Sequence, residues 1–344
     1  MTVAAGRARV TSWATIMALS IVGAAPPAPA TDCAAFAEQL TPHCPAARSL
    51  LLDRRQRLGF VGLLVAGADS SQQINDWTVT ASDEPSTTES KRDALIGFQG
   101  LSCAVRHFAA MPLTLLTRGV SAALQRWLCA RGILIVSLDA MGLDFQTRFA
   151  GKFRGGSNRR RDGWATCYKY ALWRLGCFFD RLLYLDGDAV LIGDPRPFIE
   201  QHAAADFVAC SRERKHRAQG GHHTFAGMNT HALLLRPNES VFADLLAKTD
   251  ALDFNAFTNT EQDVIESYFC QARRRGACSA RVPPFRYTFG GDPNRVVVTD
   301  TFDSLPHAHH GVFWSVNGSS QSAARDFTAR HRTGQVFLRN CGAP

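Results

Sequence analysis

Arg181-Leu-Leu-Tyr-Leu-Asp-Gly-Asp-Ala-Val-Leu-Ile192 is the stretch of this 344-residue chain that decides the fold. Its apolar run predicts a buried strand, and Asp186 and Asp188 follow at the carboxyl end with only Gly187 between them. Because side chains two residues apart on a strand point the same way, the two carboxylates are expected to converge on one face. Like charges so close need a cation or a proton, and oxygen ligands favour magnesium, manganese or calcium over zinc. The stretch therefore predicts a metal site, against the alternative of a strand that ends in a polar turn.

The segments before this stretch alternate between strand and helix patterns. Apolar runs at Phe60 to Val65, Leu113 to Thr117 and Ile133 to Leu138 predict strands. Apolar residues at helical spacing from Leu95 to Phe108, and a capped helix from Ser121 to Gly132, fill the intervals. This order predicts an α/β fold with a Rossmann-like, mostly parallel central sheet and helices on both faces. Ligands of such sheets bind beyond the carboxyl ends of the strands, where the acidic pair falls.

Other elements are expected on both sides of the acidic stretch. The predicted strands are Asp206 to Cys210 and Ala232 to Leu235. The predicted helices are Thr166 to Leu175 ended by Gly176, Val241 to Ala247, Glu261 to Ala272 and Gln321 to Arg330.

The amino terminus has the layout of a secretory signal. Arg7 and Arg9 precede the apolar stretch Trp13 to Ala25, and Ala28-Pro-Ala30 offers a cleavage site. Because this stretch is shorter than the ~20 residues of a membrane span, a cleaved signal is expected rather than a type II anchor, and no stable membrane span is expected elsewhere. We expect a signal peptide at 1–30, an N-terminal extension at 31–57 and a single domain at 58–344, in the lumen of the Golgi or ER or secreted.

The ten cysteines all lie beyond the predicted cleavage site, so disulfides are expected in an oxidising lumen. Their pairing does not follow from the sequence. The natural local pairs are Cys33 with Cys44 and Cys270 with Cys278. Cys167 and Cys177, on one predicted helix, fit buried free thiols instead. The candidate glycosylation acceptors are Asn238-Glu-Ser240 and Asn317-Gly-Ser319.

The formal net charge of +8 is concentrated in two basic runs, Lys152 to Arg161 and Arg273 to Arg275. Such runs are most often solvated faces, and here no recognition motif or aromatic stacking platform accompanies them. Nucleic acid is therefore not expected as a partner. An anionic small substrate or an acidic polymer fits the charge.

Three ordered segments together resemble glycosyltransferase family 8, the glycogenin-like retaining enzymes of GT-A fold. The first joins the lysine-bearing helix at Thr166 to Leu175 with Leu183-Tyr-Leu-Asp-Gly-Asp188. The second is Asn229 to Pro237, and the third is Thr260-Glu-Gln-Asp263. A Pro283-Pro-Phe-Arg-Tyr287 tract and a histidine cluster follow, so the order agrees over roughly residues 58 to 316.

The resemblance implies a transferase that moves a hexose or related sugar from a UDP-sugar, with retention of configuration. It implies Mn²⁺, with Mg²⁺ as the alternative, held by Asp186, Asp188 and a histidine assigned as His309. His307 and His310 stay open for that role.

The resemblance also implies which residues contact the donor. Lys169 would face the donor phosphates or sugar, and Lys169 and Glu261 are assigned catalytic roles. Asn229, Gln262 and Gly187 would line the bound nucleotide sugar. Retention requires either double displacement through a carboxylate, with Glu261 the nearest candidate, or attack from the same face within an ion pair. The acceptor, whether glycan, protein or polyol, and the oligomeric state are not specified.

The chain departs from the family pattern in two segments, the one that begins at Asn229 and the histidine tract. His231 stands where the family has glycine, and Ala308 stands three residues before Gly311, where the family has histidine. The Lys-Pro pair expected before Trp314 is also missing. Because of these departures, the first alternative is a non-catalytic homologue that binds nucleotide sugars.

A second alternative is a phosphohydrolase of the haloacid dehalogenase type, whose acidic strand also resembles Leu182 to Val190. There Asp186 would be the nucleophile and Asp188 the acid, with Mg²⁺. That fold places its acidic strand first, whereas strands are predicted here before Arg181, and Val190 stands in place of threonine.

Overall fold

The protein is described by a computed structural model in which most of the chain between Asp32 and Cys270, together with two later strands, is placed. The described residues are 32–53, 57–65, 78–79, 85–86, 89–149, 151–153, 163–187, 189–191, 194–216, 224–254, 260–270, 296–299 and 313–315. The predicted signal peptide, the predicted helix at Gln321 to Arg330 and the histidine cluster lie outside them.

The described elements alternate between strands and helices over much of the chain. The strands are β1 (Leu58–Val65), β2 (Thr78–Val79), β3 (Pro85–Ser86), β4 (Leu113–Arg118), β5 (Leu134–Ser137), β6 (Arg181–Leu185), β7 (Ala189–Leu191), β8 (Phe207–His216), β9 (Thr224–Leu235), β10 (Val296–Thr299) and β11 (Phe313–Ser315). The helices are α1 (Cys33–Leu40), α2 (Pro45–Leu51), α3 (Glu89–Ala109), α4 (Ala122–Ala130), α5 (Phe145–Phe149), α6 (Gly163–Thr166), the 3-10 helix Cys167–Cys177, α7 (Arg196–Gln201), α8 (Glu239–Asp250) and α9 (Glu261–Cys270).

Among the described residues the main sheet has seven strands in the order β10-β8-β9-β6-β1-β4-β5. β1 is parallel to β4 and β6, β4 to β5, and β8 to β10, while β9 is antiparallel to its neighbours β6 and β8. Six strands therefore run in one direction and one runs against them. The predicted mostly parallel sheet is confirmed.

The two faces of the sheet carry separate apolar cores because successive side chains of a strand point to opposite faces. On β6, Leu183 packs in one core with residues of α3 and α4, and Leu182 packs in the other with residues of the 3-10 helix, α8 and α9. Burial on both faces explains why these strands read as continuous apolar runs. Helices cover both faces, as predicted.

Several predicted boundaries need correction. β8 runs six residues beyond Cys210, and β9 begins eight residues before Ala232, because the two strands pair with each other through largely polar sequence. The helix expected from Thr166 to Leu175 is a short α-helix followed by the 3-10 helix, which passes Gly176 and ends at Cys177.

The disulfides join distant segments. Cys33 bonds to Cys177 and Cys44 to Cys129, so the predicted local pair of Cys33 with Cys44 is wrong, and so is the prediction of a free thiol at Cys177. Cys103 is also disulfide-bonded, and Cys167 is a buried free thiol as predicted. Cys278, the predicted partner of Cys270, lies outside the described residues. None of the helices in the described part of the chain combines the length and apolar character needed to cross a bilayer.

Candidate active site

The order of the strands puts a topological switch point at the carboxyl end of β6. From β1 the chain adds β4 and then β5 on one side, and then returns to place β6 on the other side of β1. Ligands of open α/β sheets bind at this kind of topological switch point, outside the carboxyl ends of the strands. Asp186 and Gly187 immediately follow β6. The sheet thus puts the acidic stretch at the position that favours ligand binding.

Asp186 is held on the same face of the sheet as Tyr184. Its backbone N–H donates to the carbonyl oxygen of His231 in β9, at 2.8 Å, which extends the β6–β9 ladder by one bond. The Tyr184 hydroxyl donates to Oδ1 of Asp186. The Asp186 side chain keeps 28% exposure and is the most accessible member of the site.

Lys169 projects from the 3-10 helix into a cage of acceptors. Its Nζ lies 3.0 Å from Oδ1 of Asp186 and 3.0 Å from Oε1 of Glu261. It also lies 3.3 Å from both the carbonyl and the hydroxyl oxygen of Thr230. The Lys169 side chain is 9% exposed and that of Glu261 is 2% exposed. One ammonium group is therefore shared by two carboxylates, one buried and one partly exposed; we call Lys169, Asp186, Thr230 and Glu261 the Lys169 cluster.

Charge and burial oppose each other in this cluster. Burial alone would lower the pKa of Lys169, but the carboxylates of Asp186 and Glu261 outweigh burial and raise it. Burial would raise the pKa of Glu261, but Lys169 and hydrogen bonds from Thr166 and Thr230 lower it below its ordinary value. Lys169 and Glu261 are thus ionised together, as expected of a buried pair that is fully hydrogen-bonded.

The amino terminus of α9 supplies the rest of the site. The backbone N–H of Glu261 donates to the Thr166 hydroxyl at 3.0 Å. The Thr230 hydroxyl donates to Oε1 of Glu261 at 2.6 Å, and the Thr230 N–H donates to Oε1 of Gln262 at 3.1 Å. Carboxylates at the first turn of a helix are favoured by its dipole. α9 is thereby fixed against β9 by its first two side chains and against α6 by the backbone N–H of Glu261.

The structure brings together four of the residues selected from the sequence, namely Lys169, Asp186, Glu261 and Gln262, with Gly187 directly after Asp186 in the chain. Asn229 is paired in β9, next to Thr230, and its side chain is outside the described part. The other members of the predicted site, Asp188, His307, His309 and His310, lie outside the described residues.

Of the predicted metal ligands, Asp186 is the one that lies among the described residues. Within the described residues, no three His, Cys, Asp or Glu side chains are grouped so as to hold a metal ion. The Lys169 cluster contains one ammonium and two carboxylates, which leaves a net charge of −1, and its exposed member offers oxygen ligands. Hard divalent cations take oxygen ligands, so the carboxylate oxygens of Asp186 fit Mn²⁺ or Mg²⁺.

Two threonines of the site could not be selected from the sequence. Thr230 lies inside the Asn229 to Pro237 segment, and Thr166 opens the segment that carries Lys169. Neither occupies a position to which the resemblance assigns a role. Their contact with Glu261 depends on the packing of α6, β9 and α9, which no local pattern encodes.

Among known proteins, only solved structures match this chain. No family model matches the chain, and no curated protein sequence matches it. Mouse xyloside xylosyltransferase 1 resembles it at 8% identity, over 60% of this chain and 80% of its own, with a TM-score of 0.36. The bifunctional glycosyltransferase WbbM does so at 11% identity, over 77% of this chain and 46% of its own, with a TM-score of 0.43. An active-site mutant of LgtC does so at 13% identity, over 79% of this chain and 95% of its own, with a TM-score of 0.38.

Proposed function

We propose that the chain is a metal-dependent retaining glycosyltransferase that moves a hexose or related sugar from a UDP-sugar to a hydroxyl-bearing acceptor. The observation that carries the proposal is the Lys169 cluster, because it assembles Lys169, Asp186 and Glu261 at the switch point of the sheet. Lys169 and Asp186 come from the first of the three segments that resemble family 8 and Glu261 comes from the third, while Thr230 of the cluster belongs to the second. Their convergence supports the assignment of all three segments to one site.

The reaction places its greatest electrostatic demand on the leaving group. The bond between the anomeric carbon and the diphosphate oxygen breaks, the acceptor oxygen bonds to that carbon, and the hydroxyl proton of the acceptor is released. The departing nucleoside diphosphate gains negative charge. A bound Mn²⁺ or Mg²⁺, held by Asp186 with Asp188 and His309, would stabilise that charge as a Lewis acid.

The protein's own side chains prepare the site for this step. Lys169 holds the Asp186 carboxylate in one orientation through contacts at 3.0 and 3.2 Å. Glu261 keeps Lys169 ionised and in place from the buried side. Asn229 and Gln262 are assigned to the sugar and acceptor side. The donor site is thus fixed before the donor binds, as electrostatic catalysis requires.

The disulfides support an oxidising compartment for the protein. The pairs Cys33–Cys177 and Cys44–Cys129, with Cys103 also bonded, fit a lumenal or secreted transferase. We propose the lumen of the secretory pathway as the place of action.

The test is donor binding and turnover by Asp186→Asn. We expect UDP-sugars with Mn²⁺ to stabilise the wild-type protein, by about 2.7 kcal/mol at a hundred times the dissociation constant. Asp186→Asn should lose this stabilisation and the release of UDP, because an amide is a weaker ligand and cannot offset the cation's charge. Thermal unfolding with and without Mn²⁺ measures the first effect, and a UDP-release assay measures the second.

Asp180→Asn is the matched control, because Asp180 lies just before β6, at its opposite end, and is exposed beside Arg57 at 3.6 Å. It should bind and turn over the donor like the wild type. Undiminished turnover by Asp186→Asn would exclude the proposal. Donor binding without turnover over a broad acceptor panel would identify the non-catalytic homologue, and phosphate release without any donor sugar would identify the phosphohydrolase.

A further inference from the structure

Thr230 contacts three residues of the candidate site with three different atoms. Its hydroxyl donates to Oε1 of Glu261 at 2.6 Å, its carbonyl oxygen lies 3.3 Å from Nζ of Lys169, and its N–H donates to Oε1 of Gln262. Thr230 is itself buried in β9. One strand residue therefore joins the 3-10 helix to the first two residues of α9.

The same hydroxyl also accepts from Lys169, at 3.3 Å. An ammonium group has three protons, and Asp186, Glu261 and Thr230 together provide acceptors for all of them. A buried ammonium with every proton directed to an acceptor has one preferred orientation. Without the hydroxyl, Oε1 of Glu261 would lose its shortest hydrogen bond, and the carboxylate could rotate away from Lys169.

Glu261 is poorly placed to attack a donor sugar. Its side chain is 2% exposed, and one oxygen, Oε1, serves both Lys169 and Thr230. The N–H of the same residue is held by Thr166. A nucleophile must reach the anomeric carbon of the donor sugar, whereas the Glu261 side chain is almost wholly buried.

We propose that Thr230 is a positioning residue that acts through Glu261: its hydroxyl fixes the Glu261 carboxylate, which fixes Lys169 against Asp186. Glu261 is then a positioning residue rather than the nucleophile. This role deepens the proposed function and rests on it. The contact at 2.6 Å, the shared oxygen and the burial of both partners carry it.

The first test compares Thr230→Val, which keeps the shape of the side chain and removes the hydroxyl, with Thr230→Ser, which keeps the hydroxyl. We expect Thr230→Val to lower kcat by about 10–100-fold with little change in KM for the donor, because small misplacements of charged groups act mainly on the transition state. Thr230→Ser should retain most of the wild-type kcat. Equal losses in the two variants would overturn the role of the hydroxyl.

Thr114→Val is the matched control. Thr114 is another buried threonine of the main sheet, near the amino end of β4 and therefore at the opposite edge from the site. The same substitution there should leave kcat unchanged. If Thr230→Val does not yield folded protein, Thr230→Ala removes the same hydroxyl with a smaller side chain.

The decisive readout is a double-mutant cycle of Thr230→Val with Glu261→Gln. Residues that act through one another are strongly non-additive, whereas distant residues add. If the hydroxyl acts through Glu261, adding Thr230→Val to Glu261→Gln should lower kcat by less than about threefold beyond Glu261→Gln alone. Independent, multiplying losses would overturn the proposal.

The same cycle also separates this proposal from the proposed function. If the wild-type protein releases no UDP from any UDP-sugar, the transferase assignment fails, and the cycle is measured by urea unfolding instead. The midpoint shifts of Thr230→Val and Glu261→Gln should then still be non-additive, while those of Thr114→Val and Glu261→Gln add. Additive shifts in the first pair would overturn the positioning of Glu261 by Thr230, whatever the reaction.

Discussion

At the scale of single residues, Lys169 is the most heavily engaged side chain of the candidate site. It is almost wholly buried, and both of its charged partners are acidic. A buried ion pair contributes little net stability while it is intact, because desolvation offsets attraction, but removal of one partner leaves an uncompensated buried charge. The identity of residue 169 should therefore affect folding as well as donor binding.

Lys169→Met should lower the free energy of unfolding by about 3–5 kcal/mol, because it leaves the buried Glu261 without its cation. Adding Glu261→Gln to Lys169→Met should restore part of that loss, since the amide is neutral and can still accept from Thr230. Urea unfolding monitored by circular dichroism measures both variants.

Lys248→Met provides the comparison on a pair whose carboxylate is exposed. The Lys248 side chain is 17% exposed, but its partner Asp253 is 74% exposed, so removal of the ammonium leaves a solvated carboxylate and should cost no more than about 1 kcal/mol. A similar cost for Lys169→Met would mean that Glu261 is solvated in solution and that the Lys169 cluster is not buried there.

The sequence predicts Lys169, Asp186, Glu261 and Gln262 as site residues, and the structure brings them together. Thr230 and Thr166 are not predicted, because a threonine in a strand or at a helix start is common and carries no motif. Their hydrogen bonds to Glu261 arise only when three separate elements pack together. The charged residues of a motif can be recognised from the local sequence, whereas the neutral residues that orient them cannot.

At the scale of elements, the packing of α3 explains two glycines near the site. A Cβ atom on Gly62 of β1 would lie 2.8 Å from the Phe98 ring, and one on Gly187 would also lie 2.8 Å from it. Real Cβ atoms do not approach carbon so closely, so both positions need glycine. The Phe98 ring therefore fills the space between β1 and the loop after β6, directly under the acidic stretch.

Gly187→Ala should push this loop away from α3 and so displace Asp186. We expect a loss of about 1–3 kcal/mol in the free energy of unfolding, typical of overpacking, together with weaker Mn²⁺-dependent donor binding. Adding Phe98→Leu should restore part of both, because the smaller side chain vacates the ring's position. Urea unfolding and donor titration measure the two effects.

Gly100→Ala, in α3 itself, is the control for adding a methyl group where it meets no neighbour. A Cβ atom on Gly100 of α3 would meet nothing within 4 Å, so alanine there should stabilise the protein by about 0.5–1 kcal/mol. Failure of Phe98→Leu to relieve Gly187→Ala would mean that α3 does not pack on the loop as described.

The elements also differ in how well the sequence predicts them. β1, β4, β5 and β6 are buried on both faces and are visible as apolar runs, and Ser121 caps α4 as predicted, by accepting from the N–H of Leu124. The extensions of β8 and β9 are missed because paired polar strands have no apolar signature. The antiparallel direction of β9 is likewise set by its partners and not by its own composition.

At the scale of the whole molecule, the segment from Cys33 to Leu51 is integrated into the main fold. Leu40 of α1 packs in one core and Ala47 of α2 in the other, and α2 contacts β5, the last strand of the sheet. Cys33–Cys177 ties this segment to the helix that carries Lys169, and Cys44–Cys129 ties it to the end of α4.

Removal of either crosslink should therefore destabilise the whole protein. The bonds close loops with sequence separations of 144 and 85 residues, and constraint of the unfolded chain predicts a loss of about 2–5 kcal/mol for each. Loop entropy grows only with the logarithm of length, so Cys33→Ala with Cys177→Ala and Cys44→Ala with Cys129→Ala should differ by only about 0.5 kcal/mol. Urea unfolding under non-reducing conditions measures both.

Cys167→Ala separates the effect of losing a crosslink from the effect of losing a buried sulfur atom, because Cys167 is a buried free thiol on the same helix as Cys177. Its cost should be smaller than that of either double variant, and a reductant should not change the difference between it and the wild type. A reductant should instead lower the stability of the wild type below that of each double variant measured without reductant, because it opens both crosslinks, and the disulfide of Cys103 as well, at once. A double variant as stable as the wild type would mean that its two cysteines are not joined, and that α1 and α2 are held to the sheet by packing alone.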